Sequence, residues 1–328
     1  MFPVVQVAIH SSQFPERVRR DLLDCLQKRQ VNHKFHYDSF KQTQKWIALH
    51  QAYSPSRTDA DCAATYDRSF AAVTAMIRPS RAHLIGLGCG GGQKDSRLLK
   101  LLRDFGKEVF YTPADVGIAM VLVARQAALA AIPEQNCFPL VCDLASADDL
   151  AAVLDNRSPG EAARLITCFG MIPNFEPQSI LPRLASLLRS GDVLMLSANL
   201  APGPDYTAGV GRILPLYDNA PTRDWLMTFL LDLGVEMADG ALRFVIEDDP
   251  AGSGAKRVAA YFQFVRSRQI HLDECLFEFG PSESIRLFFS YRHTPALLCD
   301  MLARYGLRVL EQWITQSEEE VVFLVART

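Results

Sequence analysis

Residues 83–95, HLIGLGCGGGQKD, run from an apolar strand into five glycines within seven positions, and no other stretch restricts the fold so far. A buried strand that ends in a glycine loop, with a helix behind it, is the ribose- and phosphate-binding turn of an open α/β sheet. Gly86, Gly88 and Gly91 match the dinucleotide spacing G-x-G-x-x-G. Gly88, Gly90 and Gly92 match the looser G-x-G-x-G of S-adenosylmethionine enzymes. Both spacings use the same physics, since glycine reaches positive φ cheaply and lets a ligand approach the backbone. The loop by itself leaves both cofactors open.

The sequence after the loop behaves as such a sheet requires. Strand-like runs at 84–87, 108–112, 138–142, 164–169 and 192–197 alternate with helical stretches at 95–105, 118–131, 146–154 and a segment carrying Ile180, Leu181, Leu184, Leu187 and Leu188. Asp95 is placed to cap the first of these helices. Five such units predict an open, doubly wound, mostly parallel sheet, with its ligand outside the carboxyl ends of the strands. The chain closes with a helix over 294–305 and two β runs, 307–314 and 321–326, across a polar turn. A terminal antiparallel hairpin favours a class I methyltransferase, Rossmann-like sheet over a nicotinamide-binding one.

Two stretches lie outside this rhythm. Residues 1–80 are mixed helical and polar, and 202–292 contain a helix at 221–233 and β runs at 241–247, 258–265 and 275–279. Together they predict a substrate-binding lobe over a cofactor domain made of 81–201 and 293–328. At 328 residues and 49% hydrophobic the chain can bury a full core. A net charge of -3 gives no reason to expect nucleic acid or an anionic membrane as a partner. No apolar run approaches a membrane span, and the N-terminus has no basic n-region. The eight cysteines include no C-x-x-C pair, and they predict reduced thiols in a cytoplasmic protein without a metal site. The expected assembly is a monomer or homodimer.

Three polar residues then stand out. Asp115, in YTPADVG at the end of the second strand, is placed to accept from ribose hydroxyls or to cap the next helix. Asp143, in LVCDLAS at the end of the third, is placed to accept from an adenine amino group, with Leu144 against the ring, or again to cap a helix. Asn174 sits in LITCFGMIPNFEP, a loop after the fourth strand that either anchors a substrate or holds a turn.

LGCGGGQKDSRLL, YTPADVG, FGMIPNFEP and LYDN resemble the histidine-specific methyltransferase family, known for making trimethylhistidine in ergothioneine biosynthesis. The resemblance extends to Tyr53-Ser-Pro-Ser-Arg57, to Phe289-Ser290-Tyr291-Arg292 and to the final hairpin with Trp313. It implies that S-adenosylmethionine contacts Gly88, Gly90, Lys94, Asp115, Asp143 and Gly170. It also implies that Asn174 and Tyr217 act as the catalytic pair and hold the amino and carboxylate ends of an amino-acid substrate. Tyr53, Phe288 and Ser290 would complete the pocket. Two positions depart from the family's pattern. Gly86 stands where the family has an acid just before G-x-G, and Phe288 stands where it has the glutamate that reads histidine. The expectation is therefore a methyltransferase for a small amine or amino acid other than histidine. A NAD(P)-dependent oxidoreductase and a catalytically idle ligand-binding member are the alternatives.

Overall fold

The computed structural model describes residues 4–328. Its strands are β1 (Ala8–Ile9), β2 (Arg81–Leu87), β3 (Glu108–Asp115), β4 (Leu140–Val141), β5 (Ala163–Phe169), β6 (Val193–Asn199), β7 (Gly240–Asp248), β8 (Lys256–Phe264), β9 (Arg268–Leu272), β10 (Cys275–Phe279), β11 (Ser284–Arg292), β12 (Leu307–Ile314) and β13 (Glu320–Arg327). Eight form one sheet in the order β1-β4-β3-β2-β5-β6-β13-β12. The pairs from β1 to β6 are parallel, and β13 and β12 add the antiparallel end that the terminal pattern predicts. The order reverses at β2, so the topological switch point falls beside the glycine loop.

The central strands are near-continuous apolar runs because helices cover both of their faces. One face carries Ile166, Leu181, Leu184, Leu196 and Phe323 in a common core. The other packs Leu84, Leu98, Leu102 and Leu324 against Cys62, Tyr66, Phe70 and Val73 of the helix Ala60–Met76. That helix belongs to the cofactor domain, and β1 extends its sheet beside β4. The first 80 residues are thus shared between the two layers rather than confined to the substrate lobe. Burying an apolar helix face under the sheet outweighs proximity in sequence.

The second layer is a three-stranded antiparallel sheet, β11-β8-β7, with β9 and β10 as a separate hairpin. Its own core gathers Trp225, Phe229, Phe262, Phe264, Phe279 and Phe288. Two of its elements escape the sequence pattern. The helix Tyr206–Tyr217 contains Gly209, Gly211 and Pro215, which read as breakers. It forms because Asp205 caps it on Ala208 N at 2.9 Å, while Gly209 is required where a Cβ would meet the Pro202 carbonyl at 2.5 Å. The strand β11 is buried on both faces and so lacks the two-residue alternation of a half-exposed strand. Among the described residues no helix is long and apolar enough to cross a membrane.

Candidate active site

A cavity of about 420 Å³ lies between the carboxyl ends of the parallel strands and the second layer. Every residue expected at the site from the sequence lines it, from Gly88 and Asp115 on one side to Tyr217, Phe288 and Ser290 on the other. Tyr53 is half-exposed, and the rest are drawn from five strands, their loops and two helix ends.

The glycine loop settles which spacing matters. Gly88, Gly90 and Gly92 take φ of 59°, 51° and 71°, in the left-handed region that favours glycine. Gly86 and Gly91 do not. The backbone therefore follows G-x-G-x-G. Asp115 ties this loop to the end of β3: Gly90 N–H donates to Oδ2 at 3.0 Å and Gly117 N–H to Oδ1 at 3.2 Å. Burial raises the pKa of its carboxyl, and the N–H groups of Gly90, Gly117 and Val116 oppose that rise.

Asp95 does not cap its helix, which starts at Gln93 behind Gly92 without a side-chain cap. Its carboxylate turns inward instead and accepts from Tyr111 OH at 2.7 Å and Thr167 Oγ1 at 2.8 Å. A Cβ at Gly86 would collide with its Oδ2. The acid missing from the strand is thus restored in space by a residue nine positions later, on the cavity wall. Burial pushes Asp95 up to about 6 despite the two hydroxyl donors. An acid raised this way favours the folded state only while protonated, so stability falls as pH rises from about 3.8 towards 6 and stays reduced above. Asp95→Asn should therefore raise the melting temperature at pH 7.5, by on the order of 2 kcal/mol of stability, and flatten its pH dependence between pH 4 and 6. Unchanged or lower melting at pH 7.5 would show that the charge is already compensated.

At the end of β4, Asp143 accepts from Ala145 N at 2.9 Å and Ser146 Oγ at 2.9 Å, and pairs with Lys34 at 3.3 Å. It forms the turn and faces the cavity at once. Lys94 Nζ donates to Tyr66 OH at 2.6 Å and lies 3.4 Å from Glu320. Burial alone would raise Glu320, but the Lys94 charge and donors from Tyr66 and Cys62 hold its pKa below the ordinary carboxylate value. Trp46, on the helix Phe40–Tyr53, closes over the loop, 3.0 Å from where a Gly90 Cβ would stand.

On the opposite wall, Gly170 (φ 71°) turns the chain out of β5, and its N–H donates to Ser197 Oγ at 3.0 Å. Asn174 ends a short 3₁₀ turn closed by its own backbone N–H on Met171 O at 3.0 Å. Its side-chain amide bonds to nothing in the turn. Glu176, two residues on, is gripped by the fully buried Arg257 of β8 at 2.8 Å. Tyr217 OH donates to Ser290 Oγ at 2.8 Å and accepts from Arg292 Nη2 at 2.9 Å. Phe288 is buried against Trp225, Tyr217 and His33, with ring centroids 6.0, 6.0 and 5.0 Å away. Arg292, Trp46 and Glu320 were given no role from sequence, and Asp95 was expected only to cap its helix. Arg292 and Asp95 lay in quoted motifs, whereas Trp46 and Glu320 reach the cavity through packing of distant segments.

A family model described as histidine-specific, S-adenosylmethionine-dependent methyltransferase matches residues 18–327. The chain belongs to that family. It is accordingly an S-adenosylmethionine-dependent methyltransferase, and the oxidoreductase alternative falls. No curated protein matches the chain. Among solved structures, magnesium protoporphyrin IX methyltransferase from Synechocystis PCC 6803 is similar at 14% identity and TM-score 0.44, covering 89% of this chain and 97% of that one. A mitomycin 7-O-methyltransferase is similar at 12% identity and TM-score 0.42, covering 97% and 70%.

Proposed function

We propose that this methyltransferase N-methylates a small amine or amino-acid-like acceptor, and that histidine is not its preferred substrate. The observation that carries the second half is Phe288, an apolar ring on the cavity wall where a histidine-reading carboxylate would be needed. An imidazole N–H facing it would lose its acceptor, at a cost of about 1–3 kcal/mol, enough to erase most preference for histidine.

The residues on the loop side fit S-adenosylmethionine. Each Asp115 oxygen receives one N–H and keeps a lone pair for a ribose hydroxyl, and Asp143 Oδ1 likewise keeps one for an adenine amino group. Gly88, Gly90, Lys94 and Gly170 complete the contacts, and Asp95 supplies a carboxylate near the cofactor's cationic groups. That carboxylate also argues against an idle member. The cofactor brings a methyl group already activated by its sulfonium, so the protein must chiefly provide position and a dry site. Asn174 orients the acceptor amine by hydrogen bonds and Tyr217, its hydroxyl fixed by Ser290 and Arg292, holds the wall beside it, while Phe288, with Tyr53 at the mouth, offers aromatic surface to a methylated ammonium.

Calorimetry tests the donor and mass spectrometry the acceptor. S-adenosylhomocysteine should bind and NADH should not. Asp115→Ala should weaken binding by about 1–3 kcal/mol, roughly ten- to hundredfold. An amine and amino-acid panel should show gains of one to three methyl groups, with histidine among the poorest acceptors. Efficient trimethylation of histidine would overturn the reading of Phe288.

A further inference from the structure

The loop side of the cavity carries more negative charge than its own cations balance. Asp95, Asp115, Asp143 and Glu320 all line it. Glu320 lies 3.4 Å from Lys94, and Asp143 lies 3.3 Å from Lys34, which also pairs with Asp21. Asp115 is met by backbone N–H groups alone. Asp95, 3% exposed, accepts only from Tyr111 OH and Thr167 Oγ1. Among the described residues no cation pairs with either acid. Lys94 is the neighbour of Asp95 in sequence, yet its ammonium turns to Tyr66 and Glu320 instead.

Asp95 is the more deeply buried of the two, and β2 makes room for it through Gly86, where any Cβ would collide with Oδ2. A carboxylate held in a low-dielectric wall without a counter-ion is costly, and a ligand cation relieves that cost across several ångströms without touching it. Methyl transfer leaves sulfur neutral, with the electron pair of the broken S–C bond, and the positive charge passes to the acceptor nitrogen. The methyl donor therefore carries one charge more than the spent product. We propose that Asp95 is the specificity-determining residue of the donor site: it retains the charged donor and releases the product that has lost the charge. This rests on the loop side being the cofactor site, as read above, and extends that reading from binding to turnover. The proton equilibria agree. Burial lifts Asp95 to about 6, with Tyr111, Thr167 and the Lys94 charge opposing the rise. The other titratable groups facing it are Cys89 of the loop, Tyr111 of β3 and Cys168 of β5. Burial raises all three, so they stay neutral while Asp95 titrates.

The test compares sinefungin, in which an amine carries the charge in place of the sulfonium, with S-adenosylhomocysteine, which lacks that charge. Calorimetry at pH 7 should show the wild type binding sinefungin about tenfold or more tighter. Asp95→Asn should lower that ratio about fivefold or more through sinefungin, with S-adenosylhomocysteine affinity changing by less than about threefold. A shift to pH 5 should shrink the wild-type ratio about threefold or more, because Asp95 is then protonated and a cation must first drive off the proton. The Asp95→Asn ratio should not move with pH. In thermal melts sinefungin should stabilise the wild type more than S-adenosylhomocysteine does. The pH comparison needs no variant, so a poorly folding Asp95→Asn leaves the proposal open to refutation. Equal affinity for the two ligands, a ratio that survives Asp95→Asn, or a wild-type ratio independent of pH overturns the proposal. Tight but equal binding leaves the cofactor site standing, whereas binding of neither ligand removes that reading as well.

Discussion

Asn174→Ala should abolish most turnover while leaving the fold almost untouched. Among the described residues the side-chain amide has no hydrogen-bond partner, so its removal breaks nothing that holds the loop. The loop's geometry comes from the backbone: Asn174 N on Met171 O at 3.0 Å, Phe175 N on Ile172 O at 3.3 Å, and Gly170 N on Ser197 Oγ at 3.0 Å. Stability should change by no more than about 0.5 kcal/mol, as for substitutions that remove no contact. The amide does line the cavity beside Gly170 and Met171. If it orients the acceptor amine, its loss costs alignment, worth about a hundredfold in kcat, with cofactor affinity unchanged. Chemical denaturation, S-adenosylhomocysteine calorimetry and turnover on the same preparation check this. A variant that unfolds readily would make the asparagine structural and displace the proposed anchor.

Arg257→Met should have the opposite signature, a large loss of stability with activity falling as a consequence. Arg257 is 1% exposed, and its guanidinium bridges Glu247 at 2.7 Å and Glu176 at 2.8 Å. Its guanidinium carbon also lies 4.8 Å from the centre of the Phe289 ring. Tyr291 OH stands between Glu176 at 2.5 Å and Asp249 at 2.7 Å, so two carboxylates pair with one buried cation and a third reaches the cluster through Tyr291. Burial and those carboxylates raise the Tyr291 pKa, which keeps its hydroxyl a donor. Removing the arginine leaves the acids facing one another, and breaking such a pair costs about 3–5 kcal/mol. Urea denaturation should show the midpoint falling with little change in slope. Adding Glu176→Gln should recover part of the loss, because the pair is coupled. A loss below about 1 kcal/mol would mean that water reaches the cluster and screens it. Since Glu176 follows Asn174 by two residues, this ion pair also ties the second sheet to the Asn174 loop.

These two residues mark the boundary of what was legible. Asn174 was readable because it stands in a loop between an apolar strand and an apolar helix, where local pattern names the position. Asp115, Asp143 and the glycines were readable for the same reason: strand ends of a doubly wound sheet are fixed by period and punctuation. The mostly parallel sheet and the terminal hairpin follow from neighbours within a few residues, while the aromatic residue at 288 stood out only through the family resemblance. Arg257 and Arg292 look like ordinary strand residues, and nothing nearby in sequence tells that they are buried. Their partners, Glu176, Glu247 and Tyr217, come from other elements as far as 81 residues away. Asp95 was misread because a helix-opening acid caps its helix by default, whereas packing against β2 turned it inward to Tyr111 and Thr167. The helix Tyr206–Tyr217 was invisible because its glycines and proline oppose it locally, and only burial against β7 and β8 decides in its favour. Local sequence thus determined the sheet, the loop and the class of cofactor, since these depend on short-range periodicity and backbone conformation. Tertiary packing decided which charges are paired and which side chains line the cavity, because those depend on segments that meet only in the folded chain.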